Sequence, residues 1–267
     1  MTRSTSVVVG LGQIGSAFAH ALLRAGHALV PVNRGDDVSR VAAEVPAPAH
    51  VVVALGEAGL EAWLSACPAA WRASLVLVQN ELLPPDWHRH GLEDPTVASV
   101  WFEKKANKKT TVLLPTPVAG PGAESLAAAL DGVGYDAEAI PRAALTAALV
   151  TKNLYILTSN VAGLDAGGGT VGELWDTRRD ATLAVARDVL ALQRARLAGG
   201  PGTGAADAEA LDEAARFAAL ERAFAADPAH GAMGRSAPAR LARARAQAEL
   251  LGVAVPMLAA IARRREV

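Results

Sequence analysis

The chain predicts an α/β domain followed by an all-helical domain, and three observations carry that prediction. The short apolar run Val7-Val8-Val9 breaks, close to the amino terminus, into the glycine pattern Gly10-Leu11-Gly12-Gln13-Ile14-Gly15. Further short runs rich in Val and Leu then alternate with helical patterns, as buried parallel strands and their crossover helices do. From Pro141 onward the apolar spacing changes to the helical period and keeps it.

The elements follow in order. Val7-Val8-Val9 reads as a buried strand, residues 10–15 as a tight turn, and residues 17–23 as a helix that Gly26 stops. In that turn Gly10 can take the backbone angles required, Gly12 lets a pyrophosphate approach the main chain, and Gly15 lets the helix press onto the sheet. Residues 28–32, 51–55 and 74–79 are three further strands, with a helix around residues 60–65 between the last two. Pro84-Pro85 opens an irregular excursion. Residues 97–102 and 110–114 read as an antiparallel pair whose turn holds Lys104, Lys105, Asn107, Lys108 and Lys109, before a helix at 123–130 and a last strand at 137–140. In the second half, residues 142–164 form one long helix that Gly167-Gly168-Gly169 breaks. Residues 171–198 form another, and Gly199-Gly200-Pro201-Gly202 separates it from a helix at 206–225. A loop at 227–234 leads to the helix at 238–251.

Length and composition bound the function. A chain of 267 residues, 51% of them hydrophobic, buries a sizeable core and divides into two domains, 1–141 and 142–267. A net charge of −1 steers it toward neither nucleic acid nor an anionic membrane. Cys67 is the single cysteine, so no internal disulfide forms, and no Cys or His cluster has metal-ligand spacing. The first apolar run is too short for a signal peptide and no stretch matches a membrane span, so a cytoplasmic, reducing setting is expected.

Lys and Asn are used only five times each, while Ala and Arg abound. Lys152 therefore stands out on its apolar helix, with Asn160 two turns further along the same face. At the tip of the second strand, where an NAD site places an acidic residue, the chain has Asn33 and Arg34; a guanidinium there suits the 2′-phosphate of NADP. Asp36 or Asp37 at the ribose is the competing reading. Trp63, Trp71, Trp101, Phe102 and Trp175 read as packing residues, His88 and His90 as loop residues, and Arg240, Arg243 and Arg245 as a solvated helix face.

These motifs together resemble the ketopantoate reductase family: Gly10-x-Gly12-x-x-Gly15, Arg34, Gln79-Asn80 after the fourth strand, Lys152 with Asn160, and Gly252-Val253-Ala254-Val255-Pro256 near the end. The resemblance implies a Rossmann-like first domain, a helical second domain like that of the 6-phosphogluconate dehydrogenases, and a cleft between them. It also implies hydride transfer from NADPH to the carbonyl of a 2-oxo acid. The family's catalytic lysine falls on Lys152, its substrate-contacting asparagine on Asn160 and its nicotinamide-side asparagine on Asn80. Cofactor contacts are accordingly expected from Gly10, Leu11, Gly12, Gln13, Ile14 and Gly15 in the turn. Asn33, Arg34, Leu55 and Asn80 complete that set. The expected partner is a small-molecule substrate, with a homodimer admissible.

Departures from the family bear on the substrate. Glu81 stands where a glycine is usual, Gly56 or Glu57 where a lysine follows the third strand, and Ile156 where the family has another asparagine. The glutamate that binds the substrate hydroxyl in ketopantoate reductases is missing: Ser236 or Pro238 holds its place. Altered substrate recognition follows. Two other readings remain open, a dehydrogenase of a carbon–nitrogen bond bound beside Asn160 and His230, and a non-catalytic NADP-binding sensor or scaffold with Glu81 and Ile156 marking a decayed site.

Overall fold

The structure, a computed structural model, describes residues 4–104, 109–198 and 210–266. It divides into two compact units, the described part of Met1–Leu82 with Asp86–Leu145, and Leu83–Pro85 with the described part of Thr146–Val267.

The first unit is a mostly parallel sheet with helices. β1 (Thr5–Val9), β2 (Ala28–Val32), β3 (His50–Val53), β4 (Leu75–Leu77) and β5 (Thr96–Ala98) pair in parallel. Two short strands, β6 (Phe102–Glu103) and β7 (Thr111–Val112), form an antiparallel ribbon of their own. β8 (Thr116–Ala119) joins β5 antiparallel and β9 (Ala137–Ala139) joins β8 in parallel, giving the order β2-β1-β3-β4-β5-β8-β9 among the described residues. The strands β1, β3 and β4 are apolar and buried almost throughout, the signature of a sheet covered on both faces.

Helix α1 (Gln13–Arg24) buries Phe18 and Leu22 against Val52, Val76 and Val118, with Leu126 and Leu130 of α5 (Ala123–Asp131) in the same core. Phe102 joins that core beside Phe18 and Tyr135, ring centroids 6.1 and 4.7 Å away. α2 (Val38–Glu44) and α3 (Glu57–Ala66) connect the parallel strands. Trp71 is fully buried and donates through Nε1 to the Val45 carbonyl at 2.9 Å, while Trp63 is half-buried.

Two readings of this half need correction. Residues 97–102 and 110–114 are not one antiparallel pair: 96–98 belong to the main sheet, and only 102–103 meet 111–112. The largely apolar run from Thr96 to Phe102 concealed the change of partner, because every residue in it is buried although 99–101 belong to neither sheet. Residues 105–108 of the lysine-rich turn lie outside the described residues. Pro84-Pro85 begins not an irregular stretch but a short helix, α4 (Pro84–His88), since proline is well placed in a first turn whose N–H groups have no helical partner.

The second unit is helical. α6 (Arg142–Ala166) belongs to it from Thr146 onward, with Leu149, Leu154, Tyr155, Leu157 and Val161 buried around its circumference. Residues 171–198 form two helices rather than one, α7 (Val171–Thr177) and α8 (Arg179–Ala198). No Gly or Pro announces the break; Trp175 and Arg179, on either side of it, both donate to Glu221 at 3.3 and 3.0 Å. That glutamate lies on α9 (Glu213–Ala226); the separating break at 199–202 and the expected start of the helix at 206 lie outside the described residues. α10 (Ala237–Leu250) and α11 (Pro256–Arg265) complete the unit. Asp188 of α8 caps α11 by accepting from the backbone N–H groups of Met257 and Leu258 at 2.7 and 3.0 Å.

The arginine stripe is not a solvated face. Arg240 is only 8% exposed and donates through Nε to Ser236 Oγ at 3.1 Å, with Arg243 and Arg245 half-buried, because α8 and α11 pack against α10. Among the described residues no helix is long and apolar enough to cross a membrane, and no group of His, Cys, Asp or Glu is arranged to hold a metal ion.

Candidate active site

In the first unit the chain leaves β1, β2, β3 and β4 at the same edge of the sheet. The strand order β2-β1-β3-β4 sets Asn33 and Arg34, the Gly10–Gly15 turn, Leu55 and Asn80 side by side along that edge, across three strand spacings or about 14 Å. Between β1 and β3 the direction of winding reverses, the place where open α/β sheets bind ligands.

Each glycine of the turn has a distinct duty. Gly10 adopts φ +87°, and its N–H donates to the Val32 carbonyl at 2.8 Å, tying the turn to β2. A β-carbon on Gly15 would lie 1.9 Å from the Gly10 carbonyl oxygen, so only glycine lets α1 start this close to the strand end. Gly12 has nothing within 4 Å of its absent side chain. It caps α1 without a side-chain hydrogen bond, and no acidic residue occupies the first turn, so this end of α1 keeps its positive dipole for an anion. Leu11 and Gln13 are exposed on the turn; Ile14 packs partly against the core, and Leu55 is half-buried with Cδ2 3.1 Å from where a β-carbon on Gly10 would be.

At the β2 tip, both acids that could compete for a ribose are engaged locally. Asp36 Oδ2 accepts the Asn33 N–H at 2.7 Å, and Asp37 Oδ1 caps α2 by accepting the Arg40 N–H at 3.1 Å. Asn33 and Arg34 are themselves exposed.

The β4 end is built by two side chains, one of which sequence reading missed. Gln79, 5% exposed, donates through Nε2 to the carbonyls of Val53 and Leu55 at 2.7 and 3.1 Å, which locks the end of β4 to that of β3. Glu57, in the place where the family has lysine or its neighbour, accepts the N–H groups of Asn80 and Glu81 on Oε1 at 2.9 and 3.2 Å. It fixes the backbone that carries Asn80. An acid opening the helix directly after the third strand was the available signal.

In the second unit Lys152 and Asn160 both lie on α6, each only 7% exposed. Lys152 is thus not a surface residue stretching to water; its Nζ lies 5.6 Å from the centroid of the Tyr155 ring. Asn160 Nδ2 reaches Ser159 Oγ at 3.5 Å, and Asn160 Oδ1 would be 3.3 Å from a β-carbon on Gly234. The loop 227–234 is therefore laid against α6 and α7, and one glycine on each allows it: β-carbons on Gly163 of α6 and Gly172 of α7 would meet the carbonyl oxygens of Ala232 and Pro228 at 2.6 and 2.9 Å. Ile156 is half-buried on the same helix.

No family model matches the chain, and no curated protein does. Solved structures do. A PanE/ApbA family ketopantoate reductase from Ralstonia eutropha superposes with a TM-score of 0.67 at 16% identity, over 98% of this chain and 97% of that one. The chain has the fold of the ketopantoate reductases. A dimeric ketopantoate reductase from Staphylococcus aureus superposes with a TM-score of 0.62 at 13% identity, covering 98% and 97% of the two chains. D-mandelate dehydrogenase in a ternary structure with NADH and anilino(oxo)acetate shares the fold at the same identity and coverage, with a TM-score of 0.63. Against the ketopantoate reductase pattern, Ser236 here precedes α10 without capping it through its side chain, whose Oγ accepts from Arg240, Pro238 is in that helix's first turn, and Glu249 is exposed near its far end.

Proposed function

We propose that the protein is an NADPH-dependent oxidoreductase that reduces the carbonyl of a small 2-oxo acid, with Lys152 as the catalytic group. The observation that carries this reading is the placement of Lys152: it is the one lysine of α6, 7% exposed, two helical turns from the equally buried Asn160 on the same helix, so an ammonium and an amide are held by one rigid element. Support comes from the open glycine turn in the first unit and from neighbours that are ketopantoate reductases and a D-mandelate dehydrogenase.

NADPH supplies the hydride. Gly10, Leu11, Gly12, Gln13, Ile14 and Gly15 would cradle its pyrophosphate, Asn33 and Arg34 its adenosine 2′-phosphate, and Leu55 and Asn80 its remaining length toward the nicotinamide. The residues present fit the group: Gly12 leaves its approach clear, α1 offers uncapped N–H groups, and Asp36 and Asp37 are occupied by backbone donors.

As the carbonyl carbon accepts hydride, negative charge develops on its oxygen. The Lys152 ammonium stabilises that charge and gives the proton that completes the 2-hydroxy acid. Asn160, two helical turns away, donates a hydrogen bond that orients the substrate. Steady-state oxidation of NADPH across a panel of small 2-oxo acids tests the reading; absence of turnover with every member would remove it.

A further inference from the structure

We infer that Glu57 is a positioning residue for the cofactor: its carboxylate holds the Asn80-Glu81 backbone in the shape that receives the nicotinamide half of the dinucleotide, and it has no part in holding the adenosine half. The inference deepens the cofactor reading of the proposed function and rests on it.

The sheet edge carries two sets of backbone donors, and the chain treats them differently. At the start of α1, Gly12 supplies no side-chain cap, has nothing within 4 Å of its absent β-carbon, and is followed by no acid in the first turn. At the end of β4, the successive N–H groups of Asn80 and Glu81 converge on one atom, Glu57 Oε1, at 2.9 and 3.2 Å. Successive N–H groups aimed at one point make a cradle for an anion, and here the chain fills it with its own carboxylate. Glu57 is also the acid in the first turn of α3, which starts after Gly56, a residue with no side chain to cap it. The carboxylate thus answers the positive end of the α3 dipole as well. One donor set stays open to phosphate and the other is already taken.

The residues around Asn80 are tied from two sides. Half-buried Glu57 holds the two N–H groups, while Gln79 donates through Nε2 to the carbonyls of Val53 and Leu55 and accepts the Val78 N–H on Oε1 at 3.1 Å. Removing the carboxylate leaves the Asn80 and Glu81 N–H groups without this acceptor and frees their backbone to shift, and small displacements of a positioning group are costly. The adenosine end depends on other bonds: Gly10 N–H to the Val32 carbonyl, and Asn33 N–H to Asp36. A loss at Glu57 therefore falls on one half of the cofactor.

Adenosine 2′,5′-bisphosphate separates the two halves, because it carries the 2′-phosphate and one 5′-phosphate and lacks the nicotinamide. In titration calorimetry on the full chain, Glu57→Ala is expected to weaken NADPH about tenfold and the bisphosphate by less than about twofold. Glu57→Gln keeps an accepting oxygen at the same reach and is expected to recover most of the loss. Glu57→Asp keeps the charge at the helix start but falls one methylene short of the N–H groups, and should show the same selective loss in a chain that folds as the wild type does. Amide exchange at Asn80 and Glu81 in the free protein should be faster in the alanine and aspartate variants and close to wild type in the glutamine variant. Equal weakening of both ligands, or NADPH binding unchanged in the alanine and aspartate variants, overturns the assignment. Selective loss without reduction of any 2-oxo acid keeps the role of Glu57 and removes the reductase reading; reduction by a protein whose Glu57 variants bind NADPH as the wild type does has the reverse meaning. Failure of the wild type to bind NADPH overturns both.

Discussion

Gly15 is packed so tightly on Gly10 that a β-carbon at 15 would lie 1.9 Å from the carbonyl oxygen at 10, whereas Gly12 between them has nothing within 4 Å. The two positions should therefore respond oppositely to alanine. Gly15→Ala pushes a helix start against backbone that cannot yield as a side chain could, and is expected to destabilise the fold by about 3 kcal/mol in denaturant unfolding. Gly12→Ala is expected to cost no more than about 1 kcal/mol as a helix cap. Its methyl group would instead stand where the pyrophosphate approaches, so NADPH affinity should fall at least about tenfold. Equal effects of the two variants on stability would contradict this division of duties.

Arg34 is expected to set the choice of nucleotide. A guanidinium on a dianionic phosphate makes charge-assisted bonds worth a few kcal/mol, so NADPH should bind on the order of 100-fold more tightly than NADH. Arg34→Ala should bring the two affinities together. The acids that could reverse this preference are held by the Asn33 and Arg40 N–H groups. Equal affinities in the wild type would rule out the assignment.

Ketopantoate itself is expected to be a poor substrate. Its hydroxyl would find Ser236 already bonded to Arg240 and no carboxylate in place of the missing glutamate. An unpaired buried hydroxyl costs about 1–3 kcal/mol, or roughly 5- to 150-fold in kcat/KM against a 2-oxo acid that lacks it. Competition between ketopantoate and such an acid in one assay measures the ratio directly.

His50 gives the fold a pH dependence with a definite sign. It is 3% exposed, its Nε2 is 3.1 Å from Ser125 Oγ, and its ring centroid is 5.6 Å from that of His27. Burial, and then the charge of His27, pull its pKa from 6.5 down to about 4. The unfolded chain therefore takes up the proton first: the contribution is complete above pH 6.5 and is lost as pH falls toward 4. Its full size is about 3 kcal/mol. Urea unfolding between these pH values should show the loss in the wild type and a flatter profile in His50→Gln.

How much of this was legible in the sequence depended on how local the signal was. The glycine turn, the parallel strands and the long helix with Lys152 and Asn160 are written in contiguous residues, and the structure shows each of them. The split of 171–198 was not legible, because the helix breaks at Arg178, where neither Gly nor Pro marks it. Nor was the burial of Arg240, which depends on α8 and α11 packing against its helix. Glu57 read as a mere departure; its hold on Asn80 and Glu81 spans 23 and 24 residues of sequence, and only the pairing of β3 with β4 brings them together.

The measurement that bears most directly on the central claim is single-turnover oxidation of NADPH with the best 2-oxo acid, compared between the wild type and Lys152→Met. Methionine keeps most of the buried volume but has neither charge nor proton. The account predicts a rate lower by about 100-fold or more in the variant, with NADPH affinity unchanged within about twofold. An undiminished rate in Lys152→Met would show that the buried ammonium takes no part in the reaction, and the reductase mechanism proposed for this site would be wrong.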